Sequence, residues 1–181
     1  IEPDYRYVLT TNGQFYMSSD GGDSLVLSAG FTGPESHYFY GSAIHASATE
    51  LGTIYIGGSG YSNPAVFVSH DHGISFTSLT NGLPSTLVFE LTATETEDII
   101  FAATQVGPYA YVVDENLWYD ISGMDAPDQT YWSVDFIPVL GTARFGTYGR
   151  GIWDFTLEGF FWLEVGDINQ DDIINVMDII L

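Results

Sequence analysis

Four segments of this chain share one skeleton: an apolar strand, a pair of small residues, then a second strand. They are RYVLTTNGQFYMSSD, TIYIGGSGYSNPAVFVSHD, IIFAATQVGPYAYVVDE and ARFGTYGRGIWDF. With the second small residue as marker they fall at Thr11, Gly58, Thr104 and Thr147, spaced 47, 46 and 43 residues apart. A recurrent unit of this length restricts the fold more than any single motif, because one such unit cannot bury both of its faces without a neighbour. Upstream of the last three markers runs another alternating segment: SAIHASAT, VFELTATE and WSVDFIPV. Downstream of the middle two runs a further strand, ISFTSL and LWYDIS.

Each unit thus carries four short strands in about 45 residues, the period and strand count of a propeller blade. The expected fold is all-β, a partial β-propeller of four-stranded antiparallel blades over residues 1–160, about 3.5 blades in number. A β-sandwich is the alternative, and it requires the three matching intervals to be coincidental. Composition agrees with many strands and tight turns: 20 Gly, 12 Tyr, 12 Phe and four Trp, with 45% hydrophobic residues for a core. Residues 161–166 read as a linker, and 167–181 as a small separate module. The chain opens on Ile1 with no signal-peptide pattern and closes inside a motif, so both ends are expected to be cut short.

Two hairpin turns carry the same sequence pattern. SSDGGDSL (Ser18, Asp20, Gly22, Ser24) and SHDHGISF (Ser69, Asp71, Gly73, Ser75, Phe76) both read Ser-x-Asp-x-Gly-x-Ser-apolar, 51 residues apart. The aspartate can accept turn N–H groups. The glycine can take a positive φ, and Leu25 or Phe76 is expected to turn inward. The pattern is similar to the Asp-box, or BNR repeat, of sialidases, sortilin-type receptors, xyloglucan-cleaving glycosidases and a photosystem assembly factor. The third unit, VVDENLWY, keeps Asp114 and Trp118 but is one residue short and has Asn116 for glycine. The fourth, GTYGRGIWDF, lacks the pattern and resembles the terminal blade of such propellers. The resemblance implies that these turns are structural and peripheral, away from an axial ligand site.

The loops entering the innermost strands are then the place to look for chemistry: 31–43, 81–88 and 122–132. The first holds Glu35, His37, Tyr38 and Tyr40; the last holds Asp125, Asp128, Tyr131 and Trp132. Rings beside carboxylates suit sugars, since a ring stacks on the apolar sugar face while carboxylates take the hydroxyls. His37, Tyr38, Tyr40, Tyr131 and Trp132 are the ligand-binding candidates. Glu35 with Asp125 or Asp128 are the candidates for the paired carboxyls of a glycosidase, which must stand about 5–10 Å apart. Inter-blade packing and ordinary polar loops explain the same residues without a ligand. A sialidase-type site has no motif behind it: Arg6, Arg144 and Arg150 are the only arginines. His70 and His72 form a His-x-His pair with no third zinc ligand in sight, and no nucleophile-elbow sequence is present.

Charge excludes some partners. The chain has 24 Asp and Glu against three Arg and no Lys, a formal charge of −21. Nucleic acid and anionic lipid both need a basic surface and are not expected. No stretch approaches the ~20 apolar residues of a membrane helix, and the absence of Cys removes disulfides and thiolate chemistry.

The chain closes on GDINQDDIINVMDIIL. Numbered from Asp167, oxygen ligands fall at positions 1, 3, 5, 9 and 12: Asp167, Asn169, Asp171, Asn175 and Asp178, with the Ile173 carbonyl at position 7. This is the spacing of an EF-hand loop, so calcium is the expected cofactor. An acidic linker with Asn175-x-x-Asp178 at a helix start is the alternative. The segment looks like the first half of a type I dockerin repeat, which implies a cohesin-like partner and a secreted or surface protein. Asp172 stands where glycine is usual, and Val176 and Met177 where partner-choosing hydroxyls are common. The function expected is non-catalytic binding of a carbohydrate or an extracellular protein. The alternatives are a glycoside hydrolase acting on polysaccharide and a structural repeat region.

Overall fold

The computed structural model describes residues 4–31, 39, 41, 43–123 and 126–157. The described strands form four antiparallel sheets, each a meander in which chain order is also spatial order. The first holds β1 (Arg6–Leu9), β2 (Phe15–Ser18) and β3 (Val26–Leu27). The second holds β4 (Ala43–Ala46), β5 (Ile54–Gly57), β6 (Val66–Ser69) and β7 (Thr77–Ser78). β8 (Val88–Ala93), β9 (Ile99–Thr104), β10 (Pro108–Val112) and β11 (Leu117–Asp120) make the third. β12 (Tyr131–Ile137), β13 (Thr142–Thr147) and β14 (Ile152–Thr156) make the fourth. This is the architecture of a partial β-propeller. The four markers fall at or just after β1, β5, β9 and β13, so β4, β8 and β12 are the first strands of their sheets. β8 packs against both β4 and β12, which puts these three strands together.

The core lies between the sheets. In β9 all six residues are buried, and period-2 alternation splits them between two neighbours. Ile100 and Ala102 join Tyr55, Val66 and Val68 of the second sheet, together with Tyr109 and Tyr111. Ile99, Phe101 and Ala103 join Tyr131, Val134, Ala143 and Phe145 of the fourth. Between the first and second sheets the filling is aromatic, with Phe15, Phe31 and Phe39 packed on Ile54 and Ile56. Phe31 meets Phe39 and Phe67 edge-on, at centroid distances of 5.5 and 5.2 Å.

Two turns from β2 to β3 and from β6 to β7 carry matching hydrogen-bond sets. The Ser69 hydroxyl donates to Asp71 Oδ1 (2.8 Å) and accepts the N–H groups of Asp71 (3.2 Å) and Gly73 (2.8 Å). Asp71 also accepts the Ser75 N–H (2.8 Å) and hydroxyl (2.6 Å). In the first sheet Ser18, Asp20, Gly22 and Ser24 repeat these bonds. The Ser75 hydroxyl and N–H, then Ser69, hold the Asp71 carboxyl down at about 2. Bonds from Ser18 and Ser24 hold Asp20 well below the usual range. Gly73 sits at φ +82, and a Cβ there would stand 2.1 Å from a Phe15 ring carbon, so this glycine is required both by the turn and by the neighbouring sheet.

The residue closing each pattern depends on what it faces. Phe76 packs across on Phe15 and Phe31, at 5.0 Å from each. Trp118, at the matching place in the third sheet, is buried and donates its indole N–H to the Leu79 carbonyl of the second (3.1 Å). Leu25, expected to turn inward, is instead 50% exposed. Its counterparts pack on the preceding sheet, and no described sheet precedes the first.

On the same end of the molecule Glu97 joins the second and third sheets. It sits at φ 57 in the turn between β8 and β9. Its carboxylate accepts the Ala48 N–H (2.7 Å), the Thr49 hydroxyl (3.0 Å) and the Ser47 hydroxyl, with His45 Nε2 at 3.3 Å. Burial alone raises such a carboxyl, but the donors from Ser47, Ala48 and Thr49 outweigh it and the net shift is downward.

Candidate ligand-binding site

At the opposite end, the register of two first strands slips by one residue. Between β8 and β9 Val88 pairs with Thr104 and Glu90 with Ala103, leaving Phe89 as the extra residue. Between β12 and β13 Tyr131 pairs with Thr147 and Ser133 with Gly146, leaving Trp132 as the extra residue. A bulge bends the strand and re-aims the side chain that it leaves unpaired. Here both bulges turn a ring the same way: Phe89 and Trp132 lie 4.2 Å apart at 44°. Tyr148 follows the end of β13, its N–H held by the Thr130 carbonyl (3.0 Å), and its ring meets Trp132 at 6.4 Å. Trp132 is 48% exposed and Tyr148 75%. Three rings therefore form a row, half-buried at Phe89 and open to solvent at Trp132 and Tyr148.

Directly along the same strands lies a cavity of about 430 Å³ lined by Glu90, Thr92, Ser133, Asp135, Arg144 and Ile152. Glu90 Oε2 accepts the Val134 N–H (2.9 Å), which ties β8 to β12 just beyond the two bulges. Arg144 is bound in a fork by Asp154, Nε to Oδ1 and Nη2 to Oδ2, both 2.7 Å. That pairing raises the guanidinium and lowers the carboxyl.

The residues singled out from the sequence are scattered by this geometry. Trp132 is the centre of the ring row. Tyr131, one position earlier, is completely buried: its ring packs edge-on against Phe145 (5.9 Å) and its hydroxyl donates to the Pro127 carbonyl (3.0 Å). It belongs to the core and is not open to a ligand, because the bulge sends only its neighbour outward. Asp128 is exposed on the loop before β12. Glu35, His37, Tyr38, Tyr40 and Asp125 lie outside the described residues, as do Asp167, Asn169, Asp171, Ile173, Asn175 and Asp178. His70 and His72 turn to different partners, Thr53 (3.0 Å) and Tyr7 (2.8 Å). Among the described residues no group of three His, Asp or Glu is placed to share a metal ion, and no helix is long and apolar enough to cross a membrane.

Phe89, Tyr148 and Glu90 were not singled out from the sequence. A signal for two of the three rings was there: Phe89 and Trp132 each stand 15 residues before the marker of their unit, Thr104 and Thr147. Aligning the units on their markers puts the two rings at one position.

No protein-family model matches the chain, and no curated relative does. Solved structures are similar in fold. A GH74 enzyme from Niastella koreensis superposes with a TM-score of 0.66 at 18% identity, over 85% of this chain and 26% of that one. The GH74 xyloglucanase from Xanthomonas campestris gives 0.70 at 14% identity, over 86% and 27%. YCF48 from Cyanidioschyzon merolae gives 0.57 at 13%, over 84% and 51%. The chain has the fold of part of these proteins. It spans about a quarter of the GH74 chains and about half of YCF48.

Proposed function

We propose that this chain belongs to an Asp-box β-propeller that acts outside the cell and binds a carbohydrate without cleaving it. The observation that supports this reading is the row of Phe89, Trp132 and Tyr148, exposed at its last two rings, with Phe89 and Trp132 brought together by two matching bulges. Adjacent rings of this kind stack on successive apolar faces of a sugar chain, and the cavity beside them adds polar groups that fix orientation. The test is affinity electrophoresis in gels containing soluble polysaccharides. Trp132→Ala should lose roughly tenfold in affinity while melting unchanged, since the ring is exposed. Equal retardation of the variant and the parent protein would remove the row from the site.

A glycoside hydrolase is the second reading, favoured by the fold shared with GH74 enzymes. It requires a second carboxyl about 5–10 Å from the first across the bond. Glu35, with Asp125 or Asp128, remains the candidate set. Release of reducing ends from a bound polysaccharide, abolished in Asp128→Asn, would establish it over the non-catalytic reading.

The same proposal covers the C-terminal residues. Asp167, Asn169, Asp171, Asn175 and Asp178, with the Ile173 carbonyl, would ligate calcium as half of a dockerin-like module facing a cohesin-like partner. Hard oxygen donors at alternate positions support this choice of ion. Asp172 at the sharp turn weakens it, because a non-glycine residue there carries a steric cost. Calorimetric titration of the protein with calcium should show binding that Asp167→Ala removes.

A further inference from the structure

The cavity beside the ring row holds one arginine that is already taken. Arg144 is the cross-strand partner of Asp135 on one side and of Asp154 on the other, and Asp154 binds it in a fork. Glu90 faces the same cavity from β8. With Asp154 neutralising Arg144 from beside the cavity, the two carboxylates of the lining, Glu90 and Asp135, leave it negative. Phe89 and Trp132 immediately precede Glu90 and Ser133, so rings and carboxylates lie on the same strands. Faces of aromatic rings attract cations through their quadrupole, and carboxylates do so by charge-assisted hydrogen bonds. A formal charge of −21 draws a cationic ligand toward the molecule from a distance. A volume of about 430 Å³ is within the range of sites that hold small molecules.

We infer that this cavity takes the ammonium group of a cationic sugar, so that the polymer lying on the ring row is an amino-sugar chain of the glucosamine type. This rests on the carbohydrate-binding reading of the row and names its ligand class. A neutral glucan would meet the same rings but leave Glu90 and Asp135 without a cationic partner.

The experiment is calorimetric titration with four probes: a glucosamine hexamer, its N-acetylated counterpart, a neutral glucose hexamer and a lysine hexapeptide. Each is run at about 20 mM and about 500 mM NaCl, where screening differs strongly. The glucosamine hexamer should bind roughly tenfold tighter than either uncharged sugar at low salt and lose most of that margin at high salt. Glu90→Gln keeps an acceptor for the Val134 N–H while removing the charge. It and Asp135→Asn should each weaken glucosamine binding about threefold and weaken the N-acetylated probe clearly less. Equal affinity for all three sugars, lost in Trp132→Ala, overturns the ammonium assignment and leaves the ring row standing. No binding of any sugar overturns both. Binding of the peptide more tightly than any sugar overturns the sugar class.

Discussion

Asp71 uses both carboxylate oxygens to hold its turn, and its acidity follows from those bonds. A carboxyl held at about 2 when folded, against an ordinary value near 3.9, contributes stability above the ordinary value. That contribution fades as pH falls toward about 2. Ser75→Ala removes the strongest of its donors, so the Asp71 carboxyl should titrate closer to the ordinary range, as read from carboxyl carbon shifts by NMR. Ser69 is buried and serves three partners. Ser69→Ala should cost about 1–3 kcal/mol in urea unfolding, because two turn N–H groups lose their acceptor. Gly73→Ala should cost more than Gly21→Ala. Both positions have positive φ, but only at Gly73 does a Cβ strike a ring, that of Phe15. The aspartate and its serines were legible in the sequence because the turn is local. The clash with Phe15 was not, since it joins residues 58 apart in the chain.

Strands were legible where alternation ran on, as in β4, β8 and β12, or where a short apolar run ended in a pair of small residues, as in β5 and β9. β3, at two residues, is too short to alternate, and its sheet showed only two strands in the sequence. Bulges are harder still. One extra residue changes the face of a side chain without changing composition, so Tyr131 and Trp132 looked equivalent and are not. Glu97 was missed for a related reason: its partners Ser47, Ala48 and Thr49 belong to the turn of another sheet. It joins two turns, so its removal acts on elements. Glu97→Ala leaves the hydroxyls of Ser47 and Thr49 and the Ala48 N–H without their acceptor. We expect about 2–4 kcal/mol of lost stability by thermal unfolding. Glu97→Gln should recover part of it by keeping one acceptor oxygen.

At the scale of the whole molecule, each interface between sheets adjacent in the chain carries its own buried cluster among the described residues. The order of the sheets was readable from the marker spacing alone. What lies on their faces was not, because it depends on which residue of one sheet meets which of the next. The charge belongs to this scale too. A formal −21 with few cations produces self-repulsion that no single pair relieves. Raising NaCl from about 20 mM to about 500 mM should therefore raise the melting temperature by a few degrees in calorimetry. A flat response would mean that the carboxylates are already satisfied by local donors such as those around Asp20, Asp71 and Glu97.

The six buried residues of β9, with sheets on both sides, also set a clock. Its amides are bonded into the ladders with β8 and β10 and shielded by a sheet on either side, so they trade hydrogen for deuterium only in the largest and rarest openings of the molecule. β3 and β7 are two residues long and exposed, and their amides should exchange first. In exchange followed by mass spectrometry, a peptide covering 99–104 should be the last to gain mass.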